Sequence, residues 1–389
     1  MQASSVIGRL LVVSHPAVVG VNQEVYRELQ RRGWRVTIVL PSRWRSEYSG
    51  RTMTPQALEG MEQALRPTPV ALRGRPQRHV YLTRCRSLCS RVAPDVVFLE
   101  AEAYSLAAAQ WAFALRRLRV PFGVQCYENI DRALPAPVRV LRSRVLRQAS
   151  FVAARSDSAG LLALSWGAQG EVGFAPPAVP PWASSAEAIG HDADPQSGQR
   201  RAFTIGYAGR LVESKGLDDL LAAVRRLDAP VELLLIGDGE MRPQLESQRI
   251  PGSRVRVLSG ISHEHMADGY AQIDVLALPS RTTSTWKEQF GRVIVEALWC
   301  GVPVVGSDSG EIPWLIGLTG GGLVFAEGDS LALATQLNRL RESPELRQEL
   351  AGRGRAAVEQ LFSAPRATDQ LERLLIGALT SKARIPAEM

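Results

Sequence analysis

Two carboxylates stand eight positions apart, Glu288 and Glu296, in the stretch KEQFGRVIVEALWCGVPVV at residues 287–305. An acid and a base that serve one bond sit close together, within reach of the same reacting atoms. Eight steps of full helix instead rise about 12 Å and turn the second carboxylate off the face of the first. Such a pair suits a grip on two ends of an elongated ligand. The stretch predicts a helix from about Phe290 to Cys300, closed by Gly301 and Pro303. Its start would leave the N–H groups of Gln289, Phe290 and Gly291 free for an anion, and Gly291 would let a ligand approach the backbone closely. A sugar at one end, a diphosphate in the middle and a ribose at the other would fill that span. The plainer reading is two solvated helix acids. It suits Glu296 poorly, because Val293, Ile294, Val295, Ala297 and Leu298 surround it.

Cations with the right placement lie upstream. In YAGRLVESKG, residues 207–216, a strand ends at Gly209, Arg210 and Lys215 follow, and Gly216 opens a helix. Arg can fork onto two phosphate oxygens and Lys supplies a point charge. A solvated surface cation is the plainer reading, but the position between a strand end and a glycine-opened helix favours an anion site. LLLIGDGEM, residues 233–241, holds Gly237 and Gly239 but has Arg242 where a third dinucleotide-loop glycine would stand. It reads as a tight strand-to-helix turn or as a close backbone approach to ligand.

These residues need strands and helices to position them. RLLVVS, RVTIVLP, DVVFLE, FGVQCY and SFVAAR alternate with helical patterns such as NQEVYRELQRRG in the first half. FTIGYAG, VELLLIGDG, RVRVLSG and DVLALPS do so in the second, with GLDDLLAAVRRL and HEHMADGYAQ as helices. Near-continuous Val, Ile and Leu runs between helices indicate parallel sheets buried on both faces. The 389 residues exceed what one core usually holds. Residues 180–202, rich in Pro, Ser, Ala and Gly, read as a linker between domains at 1–179 and 203–363.

The set GRLVESKG, IGDG, IDVLALPS, EQFGRVIVEALWCGVPVVGSDSGEIP and GGGLVFAEGDSLALATQL resembles the family 4 glycosyltransferases of the GT-B fold over most of residues 200–365. The resemblance implies two doubly wound, Rossmann-like α/β domains facing a central cleft. It implies that Arg210 and Lys215 hold the donor diphosphate, Glu288 contacts the transferred sugar, and Glu296 holds the ribose hydroxyls. It suggests Ile261 and Ser262 beside the base, and a final helix at 364–385 that packs back on the first domain. SHPAVVGVNQEVYRELQRRGWRVTIVLP resembles the family's opening strand, glycine loop and helix, with the usual paired glycines reduced to Gly20. Tyr127 stands where the family often has a histidine, followed by Glu128 and Asn129. These three, with His15 after the first strand, are expected on the acceptor or sugar side. His15 satisfying a local backbone group is the alternative.

The implied activity is transfer of a hexose-type sugar from a UDP or GDP sugar to an acceptor hydroxyl, with retention, in cell-surface polysaccharide or glycolipid assembly. Glu288, Arg210 and Lys215 would carry the chemistry. The nucleotide sugar is a co-substrate and no cofactor is expected. No D-x-D donor loop is evident, so metal independence is expected. The open alternatives are a GT-B relative with epimerase or inverting chemistry, a catalytically idle binding partner, and a nucleic-acid-binding protein, the last without interleaved aromatics or a recognisable module.

Charge is lopsided. Residues 1–180 carry 24 Arg or Lys and 12 Asp or Glu, within a chain of net charge +7. A basic half suggests an anionic partner, and RVLRSRVLRQ at 139–148 could lie on anionic lipid or be a solvated helix face. No apolar run approaches a membrane span, and the start reads as a first strand instead of an export signal. A cytoplasmic protein, at or near the inner face of a membrane, is expected. Four cysteines make no disulfide framework; Cys85 and Cys89 lack the paired clusters of a zinc site, and Cys126 and Cys300 sit beside apolar runs. His263 and His265 have no third ligand nearby and read as part of a helix start.

Overall fold

The computed structural model describes residues 6–46, 50–179, 202–261 and 263–383. The linker expected at 180–202 lies, but for its last residue, outside them. The chain forms two compact units, residues 1–178 with 364–389, and residues 179–363.

The first unit is built on a seven-stranded sheet. Its order from one edge is Glu171–Phe174, Phe151–Ala154, Phe122–Cys126, Val96–Glu100, Gly8–Ser14, Trp34–Pro41 and Leu65–Thr68. Every pairing is parallel. The middle strands are buried on both faces, with Leu10, Leu11, Val12, Val96, Val97, Val124 and Val152 fully enclosed, which is why they read as unbroken apolar runs. The long helix Ala364–Ala383 belongs to this unit and packs on the helix Glu24–Arg31 and on the sheet. Leu374 and Leu375 are fully buried there. Arg32 Nη1 holds both Asp369 and Glu372 at 2.7 Å, and Trp34 Nε1 donates to Glu372 at 2.7 Å.

The second unit has a six-stranded parallel sheet, ordered Arg254–Leu258, Glu232–Ile236, Thr204–Ala208, Val275–Leu278, Val304–Ser307 and Gly322–Phe325. The chain winds outward from Thr204–Ala208 in one direction, then returns to Val275–Leu278 and winds outward in the other. In open α/β sheets this reversal leaves a crevice at the carboxyl ends of the two central strands, where ligands bind.

Candidate functional site

The loops that leave those two central strands are knitted together. Gly216 has φ +66°, and a Cβ there would meet Pro279 O at 1.9 Å. Only glycine lets the 213–216 turn seat on the loop after Val275–Leu278. Arg281 N donates to Ser214 O at 2.9 Å, and Arg281 Nε to Asp219 Oδ2 at 2.6 Å. Lys215 is thereby delivered beside Glu288, 73 residues away in sequence, with Nζ 2.6 Å from Oε2. Ser280 Oγ donates to the same oxygen at 3.0 Å. The ammonium also stands 4.2 Å from the centroid of the Trp286 ring, a cation–π contact. Both Lys215 and Glu288 are 12% exposed, so one edge of the pair opens to solvent.

The Glu288 backbone is fixed from a third loop. Glu311 N donates to Glu288 O at 3.0 Å. Gly310, at φ +57°, would place a Cβ 2.1 Å from that oxygen. Tyr207 connects the group to Arg210: its hydroxyl, fully buried, donates to Arg210 O at 2.6 Å. Burial raises the Tyr207 pKa well above its ordinary value, with Glu288 adding to the rise and Arg210 opposing it, so both charges reach this ring. Gly237 serves packing: a Cβ would lie 1.8 Å from Gly209 O, where the two strand ends meet. Gly209, Arg210, Lys215, Gly237 and Glu288 are thus gathered at one end of the sheet.

Glu296 lies inside the helix Arg292–Trp299 and is 2% exposed. Tyr270 Oη donates to its Oε2 at 2.9 Å. Arg292 Nε pairs with Oε1 at 3.0 Å, one helical turn away, and His263 Nε2 lies 3.6 Å from the same oxygen. Burial raises the Glu296 pKa, opposed by Arg292. Burial and then Arg292 hold His263 down to about 4, so its imidazole is neutral at physiological pH.

The helix does not begin where the sequence suggested. Gly291, in the left-handed region, is its N-cap, and the helix starts at Arg292. Gln289 and Phe290 belong to the preceding loop, where Phe290 packs edge-on against Phe362 at 5.8 Å. The N–H groups at the helix start are therefore those of Arg292 and Val293, in place of Gln289, Phe290 and Gly291. Glu288 is also outside the helix, so its separation from Glu296 is not a helical rise. Ile261 is half-buried in the loop after Arg254–Leu258, and Ser262 lies outside the described residues.

In the first unit His15 sits in an aromatic nest, with ring centroids 5.1 Å from Trp44 and 5.3 Å from His79. Its Nδ1 is buried without a hydrogen-bond partner, and burial with the nearby His79 lowers its pKa to about 3. Two strands away, Tyr127, Glu128 and Asn129 follow Phe122–Cys126. Glu102 holds this turn, accepting Tyr127 N at 2.6 Å and Glu128 N at 2.8 Å. Glu128 accepts from Tyr104 Oη at 3.1 Å and pairs with Arg132 at 3.0 Å. Gly20 opens a short 3-10 turn and rests on the backbone of Gln56.

Sequence reasoning missed Ser280, Trp286, Tyr207, Tyr270, Arg292 and Glu102. Two of these carried a signal: Ser280 is the last residue of a predicted strand, and Glu102 stands just past the end of another. Among the described residues no group of three or more His, Cys, Asp or Glu comes together to hold a metal ion. No helix there is long and apolar enough to cross a membrane. All four cysteines are buried and free.

Comparison with known proteins bears on this geometry. The family described as glycosyl transferases group 1 matches residues 192–357, and the glycosyl transferase 4-like domain matches residues 19–176. The chain is 32% identical over 165 residues to a GDP-mannose-dependent monoacylated alpha-(1-6)-phosphatidylinositol monomannoside mannosyltransferase of Corynebacterium glutamicum. That alignment covers 41% of this chain and 43% of the relative, less than half the length of each. Among solved structures, sucrose-phosphate synthase from Thermosynechococcus elongatus superposes with TM-score 0.73 at 17% identity, over 96% of this chain and 99% of that one. Anabaena HepE in complex with UDP-glucose superposes with TM-score 0.65 at 20% identity, over 95% and 99%. Both likenesses are in fold, the GT-B architecture.

Proposed function

This chain belongs to the family 4 glycosyltransferases, and from that premise we propose that it moves a hexose-type sugar from a UDP or GDP sugar to an acceptor hydroxyl, with retention. The observation that carries the reading is the meeting of Lys215, Glu288 and Ser280 at the point where the second sheet reverses its winding. Three loops converge there on one ammonium–carboxylate pair, and glycines at 216 and 310 are required for the approach.

In this reading the donor diphosphate lies across Arg210 and Lys215, near the start of the helix Arg292–Trp299. Breaking the bond between the sugar's anomeric carbon and the phosphate oxygen leaves negative charge on the diphosphate. The Arg210 guanidinium, the Lys215 ammonium and the positive end of the helix dipole stabilise that charge more in the transition state than in the bound donor. Glu288 turns to the sugar hydroxyls while Lys215 remains between carboxylate and phosphate. Glu296 takes the ribose, because its buried Oε1 has acceptor capacity that a hydroxyl can fill. His15, Tyr127, Glu128 and Asn129 serve the acceptor, a saccharide or lipid-linked alcohol, in polysaccharide or glycolipid assembly. The reaction is metal-independent in this scheme, with the cations above supplying the charge that a metal would.

Thermal unfolding in the presence of UDP, GDP, ADP and dTDP and their hexose conjugates tests the core of the reading. One nucleotide series is expected to raise the midpoint by mass action, and Arg210→Ala to abolish the rise. No shift with any of them would remove the donor site. Transfer by chelator-treated enzyme checks metal independence, and the anomeric configuration of the product checks retention.

A further inference from the structure

One face of the first unit is basic, nearly free of acids and dotted with exposed aliphatic side chains. The helices Leu106–Leu118, Ala136–Gln148 and Asp157–Ser165 follow successive strands that step outward in one direction. Right-handed crossovers therefore put all three on the same side of the sheet. The first two contain no acidic residue, and the third has only its first, Asp157. Arg116, Arg117, Arg139, Arg144 and Arg147 are exposed on them. Arg139, Arg144 and Arg147 have no carboxylate partner among the described residues. The same three helices expose Phe113 at 61%, Val140 at 48%, Leu161 at 68% and Leu164 at 51%.

The face has a hollow of about 690 Å³ bordered by Arg139, Arg142, Arg144, Arg147, Asp131 and Trp166. Arg142 is built into its floor. It is 7% exposed, with Cζ over the Trp166 ring 3.8 Å from its centroid, while Trp166 Nε1 donates to Asp131 Oδ1 at 2.8 Å. Arg142 Nη1 reaches Asp131 only at 3.5 Å, and its buried Nε has no hydrogen-bond partner. Four guanidinium groups thus face one carboxylate. Burial pushes the Arg142 pKa down, opposed by Asp131 and helped to a smaller extent by the charge of Arg139.

We propose that this face docks on the surface of an anionic phospholipid bilayer, with the arginine hollow receiving a lipid phosphate and Leu161 and Leu164 entering the headgroup layer. Ser165 and Trp166, which end the helix carrying those leucines, also border the hollow, so the charged and apolar contacts are contiguous. A nucleic-acid backbone would match the charge but gives bare leucines nothing to gain. A membrane interface uses both, since basic side chains meet anionic headgroups while apolar ones leave water. This docking is separate from donor binding, and its failure would leave the donor site intact.

The test is flotation with vesicles of equimolar phosphatidylglycerol and phosphatidylcholine against vesicles of phosphatidylcholine alone. The protein is expected to float with the anionic vesicles only, and added salt is expected to release it. The triple variant Arg139→Ala, Arg144→Ala, Arg147→Ala is expected to lose about a hundredfold in partitioning. Leu161→Ser with Leu164→Ser is expected to weaken the salt-resistant part of binding. Nucleotide binding by both variants should match wild type, which shows that they are folded. Inorganic phosphate that raises the melting midpoint without any vesicle binding would overturn the proposal in favour of a free-anion site. Equal flotation with both vesicle types, wild-type flotation of the triple variant, or duplex DNA binding in place of vesicle binding would also overturn it.

Discussion

Lys215→Ala separates the two tasks assigned to this lysine. The ammonium is 2.6 Å from Glu288 Oε2, and removing it leaves the carboxylate with Ser280 Oγ at 3.0 Å. Breaking a fully buried pair costs roughly 3–5 kcal/mol; with both side chains 12% exposed, water returns part of that, and about 2 kcal/mol is expected. A second loss falls on the ligand. A hydrogen bond from a charged donor to phosphate contributes about 1.5–3 kcal/mol, so nucleoside diphosphate affinity should drop roughly ten- to hundredfold. Glu288→Gln provides the contrast. It removes a competitor for the ammonium, so diphosphate binding should stay level or tighten, while sugar transfer falls by about a hundredfold. The double variant should recover stability relative to Lys215→Ala, because no carboxylate is left stranded. Calorimetric titration with the free diphosphate, thermal unfolding and a transfer assay read the three quantities. Unchanged diphosphate affinity in Lys215→Ala, or an equal loss in both single variants, would refute the assignment of Lys215 to phosphate.

Two other perturbations follow from the geometry. Burial pushes the Glu102 carboxyl up to about 7 from an ordinary 4.5, against two backbone N–H donors. A raised carboxyl contributes stability fully below 4.5 and loses it as pH rises through about 7, a change of about 3 kcal/mol. Glu102→Gln keeps an oxygen for Tyr127 N and Glu128 N, so its melting midpoint should rise relative to wild type across that window; parallel pH profiles would contradict the mechanism. Gly237→Ala puts a Cβ 1.8 Å from Gly209 O and should cost about 1–3 kcal/mol together with nucleotide affinity. Gly352→Ala, which meets nothing within 4 Å, is the control and should be neutral or stabilising; matching behaviour of the two would sink the packing argument.

The central strands were legible because a parallel sheet buried on both faces imposes continuous apolar sequence, as in the LLLI of Glu232–Ile236 and the VVFL of Val96–Glu100. The edge strands Leu65–Thr68 and Glu171–Phe174 were not. Each has a single buried residue, Leu65 and Gly173, so LRPT and EVGF have no run to read. Arg210 and Lys215 were legible by position, between a strand end and a glycine. The partners of Lys215 were not, because nothing local in the sequence sets its meeting with Glu288 and Ser280, nor that of His263 with Glu296; Arg292 and Glu296, by contrast, are an i,i+4 pair set by the helix itself. The start of the helix was misread for a physical reason. Phe290 continues the apolar pattern upstream, but it packs on Phe362 from a loop, and left-handed Gly291 turns the chain before the first helical residue.

In the proposed donor complex that turn also separates the tasks of the two acids that stand eight positions apart. Glu288 sits in a loop, held at its backbone by the 309–311 turn and at its carboxylate by a lysine from the loop after Thr204–Ala208. Glu296 sits in the helix, enclosed, with Tyr270 on one oxygen and Arg292 at 3.0 Å from the other. The first is therefore suited to a partner that can exchange with an ammonium, such as the hydroxyls of a sugar beside a phosphate. The second is suited to a neutral donor that can enter a buried site without bringing charge, as a ribose diol does. In the proposed donor complex the helix start lies between these two environments. A glycine at 291 is then needed twice, to turn the chain at φ +72° and to keep a side chain off the phosphate.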